Sequence, residues 1–352
     1  MATLGCVRVV YFRFAVAQAL VLAAVAVAVA VTYDLPLRDP DGVSVPTYLR
    51  LPAILFLTFL TDVVPRAVQR AGSVAALPSS LRRVVRERWG REHVRFALVG
   101  LGAWYLTYVA FRNLKSYVPF VNRRLWDDAL EKVDRILWLG NDPAELLHQL
   151  LGTGGAAHVL SFVYVAWIVL VPASLVVALV WSRYVRAGEW FVTAVAVDWV
   201  LGVATYFLVP SLGPVYADPG TFAELPQTWV STLQASMIQE RYDVLADPFA
   251  TQAVQTIAAF ASLHVGICVT TCLIAELLRT PRWMRVSLWT FLGLTVVATV
   301  YLGWHYFADA LGGAVIGALG VLVAAWGTGN HSRGIPLRLE RTGPQARVAS
   351  PR

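Results

Sequence analysis

Eight stretches of this chain are apolar enough to cross a membrane, and that limits the fold more than any other feature of the sequence. They occupy residues 7–31, 51–64, 96–111, 156–181, 190–209, 257–278, 286–304 and 306–326. Crossing hydrocarbon takes about 20 largely apolar residues in a helix, since every backbone polar group must be satisfied within the segment. The expected fold is all-α: a polytopic membrane helical bundle of about eight transmembrane helices. The second run is weak, being short, with Pro52 near its start and Asp62 near its end. The first resembles a signal peptide in having Arg8 and Arg13 ahead of small apolar residues. Its apolar core, residues 14–31, exceeds the roughly 7–15 residues of a signal h-region, so it is an anchor. Composition agrees, with 14% charged residues where soluble domains carry about 25%. Cys6, Cys268 and Cys272 have neither the number nor the spacing of a disulfide framework.

The net charge of +7 is an orientation signal. With the N-terminus in the cytoplasm and all eight runs threaded, the cytoplasmic segments hold 20 of the 29 basic residues. These include eight arginines from Arg66 to Arg95 and five from Arg333 to Arg352. The opposite orientation inverts the ratio and violates the positive-inside rule. Both termini are therefore expected in the cytoplasm of a multi-pass plasma-membrane protein, and no nucleic-acid partner is implied. The exterior segment 210–256 has only Arg241 against five acids. The exterior segment 112–155 carries six basic and six acidic side chains. Within it Leu125, Ala129, Val133, Ile136 and Leu137 share one helical face, as in a helix lying at the interface. Trp104, Tyr105, Trp181, Tyr184 and Trp190 fall at run ends, as an interfacial belt would.

Polar groups inside such runs are costly and so informative. Ser262-Leu263-His264 opens the sixth run, and Gly303-Trp304-His305-Tyr306-Phe307-Ala308-Asp309 the eighth. His305 and Asp309 are four residues apart, so on a helix they share one face. A carboxylate there can hold one imidazole nitrogen and leave the other free as nucleophile or base. His264 could protonate a leaving oxygen. Arg112, closing the third run, falls at the same end, with Lys115 just beyond it. Two histidines, an acid and a cation at one membrane face suit an anionic head group. The bland reading of a lone histidine in an apolar helix is a hydrogen-bonded core residue; the paired contexts favour chemistry. Asp198, mid-run, is expected to have a partner and is left out of the site, as are His148 and His158.

Ser262–His264 followed by His305-x-x-x-Asp309 resembles the PAP2 superfamily of lipid phosphate phosphatases. The closer likeness is to its inositol phosphorylceramide synthase-like branch, on the exterior segment Val209-Pro210-Ser211-Leu212-Gly213-Pro214-Val215-Tyr216 and on Asp134-Arg135-Ile136-Leu137-Trp138-Leu139-Gly140. The resemblance spans roughly residues 95–326. It implies a PAP2-like six-helix core in which His305 attacks phosphorus and carries a phosphohistidine. Asp309 would hold its tautomer and His264 would serve as acid and base. Ser262, Arg112 and Lys115 would bind the phosphoryl oxygens, with no cofactor or metal. Thr299 stands where the ordinary phosphatase pattern has Arg, and Ala261 where it has Pro. The Lys-x6-Arg-Pro motif is missing, and these departures favour the synthase-like branch.

The implied organisation is two N-terminal transmembrane helices with a basic loop (1–94), a catalytic membrane domain (95–327) and a flexible basic tail (328–352). The partners are a lipid phosphate substrate, membrane lipids and a polyol acceptor such as inositol, and nothing in the sequence addresses oligomeric state. Hydrolysis and transfer to a polyol stay open. A proton-coupled lipid transporter is the rival class; the crowding of polar groups at one face rather than the midplane stands against it.

Overall fold

A computed structural model of the protein describes residues 11–40, 47–182, 184–332 and 335–336. Cys6, Arg8 and the tail beyond residue 336 lie outside the described residues. The helices run in order α1 (Arg13–Thr32), α2 (Thr47–Ala71), α3 (Leu77–Arg88), α4 (Arg91–Val121), α5 (Asp127–Leu137), α6 (Pro143–Leu151) and α7 (Gly155–Val176, prolonged by a π-helical turn to Trp181). They continue with α8 (Val185–Leu208), α9 (Pro214–Ala217), α10 (Trp229–Ala246), α11 (Leu263–Leu277), α12 (Arg282–Tyr301) and α13 (Phe307–Gly327). A two-residue hairpin, His331–Ser332 with Ile335–Pro336, follows. Among the described residues, seven helices are long and apolar enough to cross a membrane. The protein is an all-α, multi-pass membrane bundle.

The sixth expected span is the exception. Residues 257–261 are not helical, and α11 begins only at Leu263. The backbone of this stretch is bonded elsewhere. Ala259 N–H donates to the Ser211 carbonyl, Phe260 N–H to Ser211 Oγ and Ala261 N–H to Thr205 Oγ1, each within 3.1 Å. These side-chain and loop acceptors replace the helical ladder, so the apolar run enters the bundle extended. At 15 residues α11 is about 22 Å long, shorter than the hydrocarbon core.

The innermost helices are α8, α11 and α13, with α4 outside α8. The α11–α13 crossing depends on glycine: a Cβ on Gly313 would collide with the Ser262 carbonyl, and one on Gly317 with the Gly266 carbonyl. Small residues at such a crossing let backbones touch, which supplies the packing that hydrophobicity cannot provide in lipid. Helix α1 joins this core through a stripe of four alanines and a leucine, Ala15, Ala19, Leu22, Ala26 and Ala30, while Leu20, Val21 and Val31 point outward. Helix α2 is peripheral, packed on α3 through Val63, Ala67 and Val84. Buried Asp62 ties the two together, accepting from Arg66, from Arg88 Nε at 2.8 Å and from Trp89 Nε1 at 3.0 Å. Trp190, expected in an interfacial belt, is instead fully buried and donates to the Val321 carbonyl at 3.1 Å. Its indole lies in the bundle core against α13, which composition at a run end does not reveal. Trp181 and Tyr184 are exposed, as a belt requires.

Candidate active site

The starts of α11 and α13 and the last turns of α4 and α8 meet at one end of the bundle. Ser262 is the N-cap of α11: its Oγ accepts from Val265 N–H at 3.4 Å, and its own N–H donates to the Asp309 carbonyl at 3.0 Å. This places His264 in the first turn of α11, beside the entry to α13. His264 Nδ1 then lies 3.0 Å from His305 Nε2, and His305 Nδ1 lies 3.2 Å from Asp309 Oδ2. The structure thus brings together His264, His305 and Asp309 in one hydrogen-bonded row.

The reason for the His305–Asp309 contact differs from the sequence expectation. The two do not share a helical face, because α13 starts at Phe307 and Tyr306 is its N-cap. Asp309 is the third residue of the helix, and its Oδ2 reaches back to accept the Tyr306 N–H at 3.0 Å, a capping-box geometry. That same reach brings the carboxylate to the imidazole of His305, just ahead of the cap. A tight turn with Gly303 at φ 73° delivers the segment, Trp304 and His305 N–H both donating to the Thr299 carbonyl. Thr299, where the phosphatase pattern has Arg, therefore serves as a backbone anchor of the histidine turn.

The cations are arranged unequally. Helix α4 extends to Val121, so Arg112 sits within the helix instead of closing it. The longer helix puts Lys115 over the Tyr206 ring, 4.7 Å from its centroid, near enough to act electrostatically on both His264 and His305. Arg112 lies over Tyr108 at 5.9 Å and faces Glu240 of α10. Aromatic rings enclose His264: Trp167 at 4.3 Å and Tyr164 at 5.0 Å between centroids, with Trp304 stacked on Tyr164. Trp167 Nε1 also donates to the His264 carbonyl at 3.0 Å, which fixes the first turn of α11.

Two carboxylates that sequence reasoning did not place in the site complete it. Asp134 accepts from Phe307 N–H at 2.6 Å and Ala308 N–H at 2.7 Å, capping α13 from another helix. Burial, reinforced by Asp309 and Asp142 and opposed by those two amides, pushes its carboxyl up to about 6. Asp127 accepts from Leu212 and Gly213 N–H and from the Tyr306 hydroxyl at 3.2 Å. The available signal was the seven-residue spacing that puts Asp127 and Asp134 on one face of α5, opposite its apolar stripe.

The residues left out of the site sit elsewhere. Asp198 is buried between α8, α11 and α13, with Thr270 Oγ1 2.7 Å from its Oδ2. His148 Nε2 pairs with the Tyr301 carbonyl at 2.8 Å.

A family model described as the PAP2 superfamily matches residues 128–323, more than half of the chain. The chain belongs to the PAP2 superfamily. The match begins at α5 and runs through α13, so it takes in both histidines, Asp134 and Asp309, while α1 to α4 precede it. No curated protein and no solved structure matched the chain. Membership in the PAP2 superfamily gives the general activity, that of a phosphatase or phosphotransferase.

Proposed function

We propose that the protein is a membrane-embedded lipid phosphatase or phosphotransferase acting at the extracytoplasmic face through a phosphohistidine on His305. The observation that carries this reading is the row Asp309–His305–His264, with the two contacts of His305 made through its two different ring nitrogens. With Nδ1–H donated to Asp309, the lone pair of Nε2 is free for phosphorus. In the resting site that lone pair faces His264 Nδ1, so a phosphoryl group has to enter between the two rings. His305 Nε2 then forms the N–P bond as the P–O bond to the lipid or its head group breaks. His264 supplies the proton to the departing oxygen. In the second half-reaction His264 takes a proton from water or an alcohol, whose oxygen attacks phosphorus and frees His305. Lys115 and the first-turn N–H groups of α11 supply positive potential to the phosphoryl oxygens, with Arg112 and Ser262 as further phosphate-binding candidates. Acid–base assistance of this kind is worth about 10²–10⁴-fold.

The extracytoplasmic placement rests on the arginine distribution, which assigns the opposite end of the bundle to the cytoplasm. The donor is a phospholipid or polyprenyl phosphate. The likeness of the 209–216 loop to the synthase-like branch makes inositol or another polyol the alternative acceptor to water. Purified protein in lipid nanodiscs should be offered phosphatidic acid, a polyprenyl phosphate and a phosphoinositide, with and without free inositol. Phosphate release without acceptor gives the hydrolase; a new inositol phospholipid gives the transferase. Failure to turn over any of them, while binding and moving them across the bilayer, would replace the reading by a transporter.

A further inference from the structure

We infer that Asp127 and Asp134 are positioning residues that set the direction of the His305 imidazole by clamping the residues that follow it. The inference concerns the site proposed above and deepens that reading.

Helix α5 is amphipathic in an unusual sense. Its apolar face looks away from the protein: Val133, Ile136 and Leu137 are exposed, as is Leu139 just past its end. Such a face belongs at the lipid boundary. The inward face is acidic, with Asp127, Leu130 and Asp134 buried. Leu130 packs on Tyr306 and Ala308, between the two acids. Leu130 seats the inward face by apolar packing, and the two carboxylates add hydrogen bonds to the segment that follows His305. Burying a carboxylate is expensive unless it is fully bonded. Here both acids are spent on consecutive residues of one segment. Asp127 takes the Tyr306 hydroxyl, and Asp134 takes the amides of Phe307 and Ala308. These three residues occupy the whole gap between His305 and Asp309.

The consequence is geometric. The imidazole is directed by Asp309, whose carboxylate reaches back to the Tyr306 amide. Any rotation of the 306–308 segment would change that reach and with it the Nδ1 contact. Ordinarily the first-turn amides of a helix are bonded by its own N-cap or by water, which leaves the turn free to fray. A carboxylate from a separate helix holds them instead. Asp127 extends the clamp to the 209–216 loop through the Leu212 and Gly213 amides. That loop in turn bonds residues 259 and 260, ahead of Ser262 and His264. One helix therefore ties both histidine-bearing segments.

The test uses the full chain in nanodiscs with Asp134→Ala, Asp134→Asn, Asp127→Asn and, as a control, Arg135→Ala. Arg135 pairs with Glu131 on the exposed side of the same helix. The first readout is NMR of protein labelled with ¹⁵N-histidine, in which the His305 Nδ1–H signal is assigned by its loss in His305→Ala. We expect Asp134→Ala to move that proton upfield or broaden it away, Asp134→Asn to give an intermediate signal, and Arg135→Ala to leave it in place. The second readout is turnover of lipid phosphate. Here kcat is expected to fall by about tenfold to 10²-fold in Asp134→Ala, with KM within about threefold, because a displaced nucleophile loses rate and not substrate affinity. Asp134→Asn keeps the volume and one acceptor oxygen, so it carries the test if the alanine variant does not fold. Asp134→Asn and Asp127→Asn proteins that match the wild type in both readouts overturn the inference. If the wild type turns over no lipid phosphate, the proposed function fails. The His305 signal then decides alone: an unchanged proton overturns the clamp, and a displaced one upholds it.

Discussion

Asp62 and Asp309 are both completely buried carboxylates, at opposite ends of the bundle, and the protein satisfies them in opposite ways. Asp62 is saturated by two arginines and an indole: Arg66, Arg88 through Nε and Nη2, and the Trp89 indole N–H bond to its two oxygens. Arg88 also donates to the Trp181 carbonyl, so the knot links α2 and α3 to the end of α7. Asp309 has one amide and one imidazole on Oδ2, and its Oδ1 has no hydrogen-bond partner. An unmet buried acceptor costs about 1–3 kcal/mol, and Asp62 leaves neither of its oxygens unmet. Asp309, which orients a titratable ring, is left with a partner whose charge can change. Asp309 Oδ1 shares this unpartnered state with Asp198 Oδ1 deeper in the bundle, so the contrast is between Asp62 and Asp309 and not between the two ends.

Substitutions at the two carboxylates and at His305 test that contrast. The largest effect is expected from His305→Ala, with turnover down at least about 10⁴-fold while the protein stays monodisperse and melts near the wild-type temperature. Near-normal turnover would remove the assigned nucleophile. Next comes Asp62→Ala, which strands Arg88 in a mostly buried site. Loss of a buried partner of this kind costs about 3–5 kcal/mol, read as a lower thermal midpoint, with turnover per folded molecule unchanged. Should Asp62→Ala instead cut turnover in folded protein, the two carboxylates do not divide into structural and reactive roles. Asp309→Asn should show the reverse pattern: turnover lower by about 10²-fold, and stability within about 1 kcal/mol of wild type.

The smallest effect is a pH dependence. Asp134 is held near 6, above the usual aspartate value, so the folded state binds its proton more tightly than the unfolded chain. Its contribution to stability is therefore complete below about 4 and is lost as pH rises through about 6. The thermal midpoint is expected to drop between pH 5 and pH 7.5, and Asp134→Asn should flatten that slope. Activity should move the other way, rising as the clamp ionises. A wild-type midpoint that climbs over this interval would contradict the burial that raises the group.

Much of the site is legible in the residue pattern alone. Ser262, His264, His305 and Asp309 stand at the starts of two apolar runs, and chain threading puts those starts at the same end. Span boundaries are less legible. The 257–261 stretch is as apolar as a helix, yet Ser211 and Thr205 capture its amides, an outcome no periodicity records. The ranking of the cations is hidden too, because apolar patterning ends the third run at residue 111, whereas α4 continues past Lys115 to Val121. The acids of α5 escape for a related reason: a helix outside the apolar runs with acids on one face ordinarily turns them to water, and only packing shows this one reversed.

An all-α membrane bundle, its family and the residue types gathered at one end are all readable from the residue pattern, because lipid forces long apolar helices and makes each polar group in them informative. The distances between those groups come from packing. They are set by contacts that are non-local and carry no period: a backbone crossing at Gly313 and Gly317, a turn anchored on Thr299, and the carboxylates of α5 on the first amides of α13.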